Sequence, residues 1–459
     1  MDDEPLLRGQ ENLQVKQVIN HRQIAWLTSG VIMTGAVVSL PQQLAVVAKN
    51  DAWLSQLLPV MYTVLVAYVF ERLIRAYPGK NIFEILIETR GRVAGSLFNG
   101  ILLLFFLLIL LRDIKGVGHF LHLSLLSETP LEIILLVFVV VLQYFGRSSM
   151  EVAARVNEMY FPMFFILSFS MYFILSNEYD LRRLEPIMDS KFVALLLSNW
   201  MSGGLYGDIF VFGAFLHAIS QSRLFFSAVK HGATMAGFGI MLILIIQLGV
   251  MGYLITSRLN YPVYVLVEQI HLTDFLDRVE VMLFSIWFPA FAIKVVITYL
   301  TLLIGIGTLT RREDYTYCNG PFGWFVLILS ITTFQHINDV NNFIGFVLPV
   351  LVPLIQWPML LLLFLSARQK AGKRAGSDQG SHPLLKKYRR YTRLWWICFA
   401  ICTISLLIGS FIEPFYGGWG RVFGAVYFFG FLAAFIFSYL ELQSLNHIME
   451  RAKSIARRA

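Results

Sequence analysis

Long apolar stretches recur along the chain, separated by short polar ones. Runs at 24–48, 54–71, 95–118, 130–146, 156–176 and 192–219 are followed by runs at 234–256, 280–309, 322–336, 342–366, 394–412 and 421–441. A bilayer core about 30 Å thick is crossed by roughly 20 apolar helical residues, so the pattern predicts an all-α polytopic membrane protein of about twelve transmembrane helices. The first and sixth runs carry small and polar residues at their centres. Spans 1 and 6 would open the two halves of a five-plus-five inverted repeat, with two further helices at the C-terminal end. The order then reads as a cytoplasmic N-terminal segment (1–23), a ten-helix transporter-like core (24–366), a basic cytoplasmic loop (367–393), two additional spans (394–441) and a basic tail (442–459).

Composition agrees with this pattern. Of 459 residues 57% are hydrophobic and 14% charged, against about 25% charged in an ordinary soluble domain. The net charge of +8 does not mark a nucleic-acid binder, because the cations collect in alternate loops and form no single basic face. Counted by loop, 27 Lys and Arg fall on the side of the termini and nine on the other, Lys49, Arg112 and Lys115 among the nine, with Lys294 inside span 8. That bias places both termini in the cytoplasm. Residues 261–279 mix apolar and charged positions, as a helix lying on the outer interface would. The loop 367–393 reads as a solvated orientation signal, or alternatively as a patch that grips anionic membrane lipid or a cytoplasmic partner.

The interruptions carry the candidate chemistry. Span 1 contains Ser29-Gly30 and Thr34-Gly35, and span 6 contains Ser202-Gly203-Gly204-Leu205-Tyr206-Gly207-Asp208. Matching breaks in corresponding helices point to a midplane site in transporters, where freed backbone N–H groups can hold a carboxylate. The competing explanation is close packing through small residues. Asp208 and Lys294 are charges at membrane depth, which are costly and usually functional; they are expected to face each other, as a fixed or a proton-linked pair. Glu71 with Arg75, and Arg155 with Glu158, are spaced as rim ion pairs, and His217 reads as a packing residue. Cys318, Cys398 and Cys402 make no disulfide framework. No HExxH, P-loop, paired Cys-x-x-Cys or GxSxG string is present, so neither an enzyme nor a metal or other cofactor is expected.

Several fragments, in order, resemble one family. They are Ile19-Asn20-His21-Arg22-Gln23, Asp51-Ala52-Trp53-Leu54-Ser55, Pro78-Gly79, and Gly146-Arg147 through Glu151, Ala154-Arg155, Glu158 and Pro162. Leu184-Glu185-Pro186-Ile187, Pro262-Val263-Tyr264, Asp274 through Glu280, and Trp287 complete the set. Over residues 19–366 the chain is similar to the B-subunit, permease-like component of bacterial spore germinant receptors, a branch of the amino acid–polyamine–organocation transporter group. The resemblance implies a receptor for a small nutrient, commonly an amino acid, bound between unwound helices 1 and 6. It further implies assembly with an A-type membrane subunit and a C-type lipoprotein in the spore inner membrane. Two features depart from the family: Asp208 stands where Glu is usual, and the chain continues beyond span 10 into a basic loop and two more spans. The second reading is a proton-coupled secondary transporter of an amino acid or cation.

Overall fold

The computed structural model describes residues 19–219, 222–270, 279–312, 314–372 and 383–456, and no strand occurs among them. The helices in order are α1 (His21–Ala48), α2 (Leu57–Ala76), α3 (Ile82–Arg90), α4 (Arg92–Ser124), α5 (Leu131–Phe145), α6 (Met150–Ile174), α7 (Phe192–Tyr206) and α8 (Ser222–Thr256). They continue with α9 (Pro262–Glu268), α10 (Val279–Thr310), α11 (Asn319–Thr332), α12 (Ile337–Asn342), α13 (Leu348–Gly372), α14 (Pro383–Tyr416) and α15 (Trp419–Ala456). A π-helical turn, Phe343–Val347, joins α12 to α13. Among the described residues seven helices are long and apolar enough to cross a bilayer, and the bent pair His21–Val38 and Leu40–Leu54 makes an eighth. Each of the twelve apolar runs falls on a helix, but α5, α6, α7 and α11 do not meet that measure on their own. The protein is a multi-pass α-helical membrane protein.

Helix α1 bends by 67° between Val38 and Leu40, not at the Ser29-Gly30 or Thr34-Gly35 pairs where the sequence suggested a break. The cause is Pro41, inside the helix, which lacks an N–H and crowds the carbonyl four residues before it. The glycines instead permit close approach. Ser29 Oγ donates to the Gly232 carbonyl at 2.7 Å, and a Cβ on Gly30 would lie 2.7 Å from Asn157 Oδ1. In the sixth run the α-helix does end inside the glycine motif, at Tyr206, and the chain continues as a 3-10 segment over Gly207–Ala218. A changed helix type must place its carbonyls elsewhere; Gln356 Nε2 donates to the Gly207 carbonyl at 2.8 Å.

Within the segment 261–279, α9 packs one side inward, burying Pro262, Val263, Leu266 and Val267, while 271–278 lie outside the described residues. Two other expectations are corrected. Lys230, and Arg112 with Lys115, assigned to loops, are buried within α8 and α4. These moves take one cation from the side of the termini and two from the other, and leave the direction of the bias as it was. The polar stretch after α2 contains α3, a short helix with Ile82, Phe83, Ile85 and Leu86 buried, whose start is closed by a capping box between Asn81 and Glu84. The family fragment Asp274 to Arg278, much of the basic loop (373–382) and the first 18 residues lie outside the described residues.

Candidate functional site

Four charged side chains meet in the interior. Helix α4 is 33 residues long, about 50 Å at 1.5 Å per residue, and carries Arg112 and Asp113 at its middle. The 3-10 segment after Tyr206 brings Asp208, and α10 brings Lys294. Arg112 Nη2 donates to Asp113 Oδ1 and to Asp208 Oδ2, each at 2.7 Å, and Nε reaches Asp113 Oδ1 at 3.0 Å. Lys294 Nζ lies 2.8 Å from Asp208 Oδ2 and 3.2 Å from Asp113. All four are at most 4% exposed, so none of these charges is screened by bulk water.

The arithmetic is two cations against two anions, which neutralises the set. Each buried ion still carries a desolvation cost of several kcal/mol, so such a cluster is poor evidence of stabilisation. Buried ionisable groups at membrane depth are instead functional candidates. Beside the cluster lies a cavity of about 30 Å³ bordered by Gly35, Tyr261, Trp287, Phe291, Val340 and Asn341 as well as Arg112 and Asp113. The Tyr261 hydroxyl on this cavity is buried without a hydrogen-bond partner, and Asp113 Oδ2, also without a hydrogen bond, is in ion-pair contact with Lys294 Nζ at 3.2 Å. Gly35 is the close point of α1: a Cβ there would sit 2.5 Å from Lys294 Nζ. Trp287 Nε1 donates to the Thr34 carbonyl at 3.0 Å, tying α10 to α1 one residue before that glycine.

The structure thus brings Gly35, Asp208 and Lys294 together, and places Thr34 beside them through its carbonyl, while its hydroxyl donates to Gly30. It does not bring the remaining candidates there. Ser29 and Gly30 pack α1 on α8 and α6. Ser202 Oγ contacts Ser55 Oγ at 3.4 Å, and Tyr206 donates to Gln56 at 3.0 Å. Gly204 and Gly207 lie against Pro349 and Val352. Gly203 instead borders a larger apolar hollow of about 650 Å³ on the bundle surface, lined by Tyr62, Trp200, Trp357 and Trp396. That hollow carries no charged side chain and lies away from the four ions. Arg112 and Asp113 were the omission: both lie inside the third apolar run, and their position in mid-run was the available signal.

At the rim, Glu71 pairs with Arg75. Arg155 pairs with Glu151, whereas Glu158 reaches Arg22 and Gln23 at the start of α1. His217 is partly buried with Nδ1 unpartnered. The Asp-Ala-Trp-Leu-Ser string is a structural clamp: Asp51 accepts the Met188 and Ser190 backbone N–H groups at 2.5 and 2.9 Å.

A bundle with a bent first helix, a sixth that changes form midway, and charges buried between them has the architecture of membrane transporters. It is similar to a nucleobase-cation-symport-1 family transporter, Mhp1, in a closed conformation with bromovinylhydantoin bound, at a TM-score of 0.61 and 11% identity over 95% of this chain and 94% of that one. It is also similar to MhsT in complex with L-phenylalanine, at 0.54 and 12% over 93% and 99%. At these identities the likeness concerns the fold. Residues 18–339 match the family model described as "Spore germination protein", and the chain belongs to that family. Spore germination protein KB of Bacillus subtilis (strain 168) is 24% identical over 72% of this chain and 90% of its own length. YfkT of the same strain, whose name places it provisionally among spore germination proteins, is 25% identical over 71% and 89%. Spore germination protein GerLB of Bacillus cereus is 20% identical over 78% of this chain and 97% of its own.

Proposed function

We propose that this chain is the ligand-sensing membrane subunit of a spore germinant receptor, and that it binds a small nutrient, an amino acid, at the Arg112–Asp113–Asp208–Lys294 cluster. The observation that carries the reading is a charge-balanced set of buried ions beside a cavity bordered by Tyr261, whose buried hydroxyl has no hydrogen-bond partner. A zwitterion suits such a set. Its carboxylate would exchange for a protein carboxylate on Arg112 or Lys294, and its ammonium would donate to Asp113 Oδ2. The net charge of the interior changes by nothing, so the exchange avoids the cost of an uncompensated buried ion.

A cavity of about 30 Å³ has room for about one water molecule, so ligand entry requires the bundle to open. The α12 side of the cavity and the far half of α1 meet where Gln43 Nε2 donates to the Asn341 carbonyl at 2.7 Å. The π-helical turn follows directly, and at Gly345 a Cβ would lie 3.0 Å from Gln43 Oε1. Ligand would favour one arrangement of these segments, by no more than its difference in affinity for the two. The Lys and Arg bias supports cytoplasmic termini, and the family supports residence in the spore inner membrane with an A-type subunit and a C-type lipoprotein.

A second reading, a proton-coupled transporter of an amino acid or cation, is favoured by one observation: Lys294 is shared between two carboxylates, so one proton could redistribute among three groups. Spores lacking the gene separate the two readings when challenged with amino acids, sugars and salts while uptake is followed in growing cells. Loss of germination to one nutrient with uptake intact supports the receptor; normal germination with impaired uptake makes the chain a transporter.

A further inference from the structure

A second set of buried charges lies on the opposite use of the fold, between the core and its last two helices. Lys230 on α8 pairs with Glu441 on α15, both 1% exposed or less. The other carboxylate oxygen of Glu441 accepts from Ser227 Oγ at 3.1 Å. The Lys230 ammonium also lies over the rings of Phe226 and Trp395, 5.4 and 5.1 Å from their centroids. One turn along, His231 Nδ1 and Ser438 Oγ are 2.9 Å apart, and the His231 ring stacks on Phe435. Lys230 and His231 each have a polar counterpart on α15.

The junction extends along α15. Tyr427 donates to the Leu54 carbonyl at 3.1 Å and packs edge-on against Trp53. Arg421 pairs with Glu185 at 2.6 Å, and a Cβ on Gly424 would meet Ile187 at 2.8 Å. Trp53 and Leu54 lie within the family match, which ends at residue 339. The relatives are covered over about nine-tenths of their own length or more by 71 to 78% of this chain. The α14–α15 hairpin, starting at residue 383, therefore stands beyond the family core, yet it grips that core through a family string.

We propose that the face formed by Lys230 and His231 on α8 with Trp53 and Leu54 is a docking surface for a membrane helix pair, and that in this chain its own α14–α15 hairpin fills it in cis. The partner the face fits is an apolar helix that carries one carboxylate toward Lys230, a hydroxyl beside His231 about one turn away, and a tyrosine hydroxyl that reaches Leu54. The covalent link to the core is then not what holds the hairpin; the matched buried groups are. A further consequence is that this face is closed to other subunits, so any partner chain must approach from another side.

The test uses the full chain with a protease recognition sequence inserted between Gly376 and Ser377 and a C-terminal affinity tag. After cutting to completion in detergent, judged on a gel, the core should remain with the tagged hairpin. Glu441→Gln should release the core, because it strands the Lys230 ammonium without its carboxylate. Lys230→Met combined with Glu441→Gln should hold it again. Separation of the cut wild-type pieces would overturn the proposal, and so would equal retention by the single and the double variant.

Discussion

The interior holds two buried charge sets that differ in how completely they are satisfied. Lys230 and Glu441 form a closed pair, with the second carboxylate oxygen accepting from Ser227 and aromatic rings covering the ammonium. Arg112, Asp113, Asp208 and Lys294 are also balanced, but they adjoin a cavity bordered by the partnerless Tyr261 hydroxyl, hold Asp113 Oδ2 by the Lys294 ion pair without a hydrogen bond, and collect where α1 approaches through Gly35 and where α7 has given way to a 3-10 segment. The difference is the one expected between a closed junction and the ligand site proposed for the cluster. Both sets bear a desolvation cost, and in the first the return is specificity of docking. In the second, the Tyr261 hydroxyl and the nearby bends would supply what the proposed ligand needs: a partner and a means of entry.

The largest effects should come from neutralising each set, and they should part the two. Arg112→Leu leaves two carboxylates with Lys294 alone, and Glu441→Gln leaves Lys230 alone. Each should cost about 3–5 kcal/mol, seen as a loss of folded protein in thermal unfolding. The paired changes sharpen the contrast. Lys230→Met with Glu441→Gln should recover both stability and nutrient response, whereas Lys294→Met with Asp208→Asn should recover stability and not response. If response returned in the second pair, the cluster would be a junction like the first.

Next in size is Gly35→Leu, which drives a side chain into the space of Lys294 Nζ. Overpacking of this kind costs about 1–3 kcal/mol, and the nutrient response should be lost while the hairpin stays docked. Tyr261→Phe removes a hydroxyl that has no partner in the closed protein, so thermal stability should change by less than about 0.5 kcal/mol. Ligand affinity should fall by up to about tenfold, the worth of roughly one hydrogen bond; unchanged affinity would place the ligand away from α9.

The smallest effect lies at the rim and is a matter of pH. The hydrogen bond from Lys80, with a further one from Lys370, holds the Glu88 carboxyl below its ordinary value. A carboxyl lowered by folding adds stability above its unfolded value and loses it as the pH falls through the lower folded one. Acid titration of unfolding should show a slight loss over that window that Glu88→Gln removes, while the buried hairpin pair stays docked.

How far the sequence could be read follows the same division. Hydrophobic runs place every long helix, because bilayer thickness sets their length and loops must be polar. Asp208 and Lys294 were legible as costly charges at depth. Arg112 and Asp113 lie within the third apolar run, but Arg112 was counted with the loops and Asp113 was not singled out, because counting has no means of telling that α4 carries them into the bundle. The bend of α1 was sought at its glycines, yet Pro41 sits in the sequence as the stronger cause; small residues report close approach as readily as a break. Most of the span 6 motif lies against neighbouring segments, which the sequence could not show, since the contact of Gly204 with Pro349 depends on the position of α13. Lys230 was invisible as a buried ion because its partner lies 211 positions away.

The most direct test is binding of a panel of amino acids to the purified full chain, with wild type and Gly35→Leu compared in the same preparation. The site proposed here predicts that one class of amino acid binds the wild type and that Gly35→Leu, still folded and with its hairpin docked, binds none of them. Equal binding by the two proteins would contradict it and remove the Lys294 cluster as the ligand site.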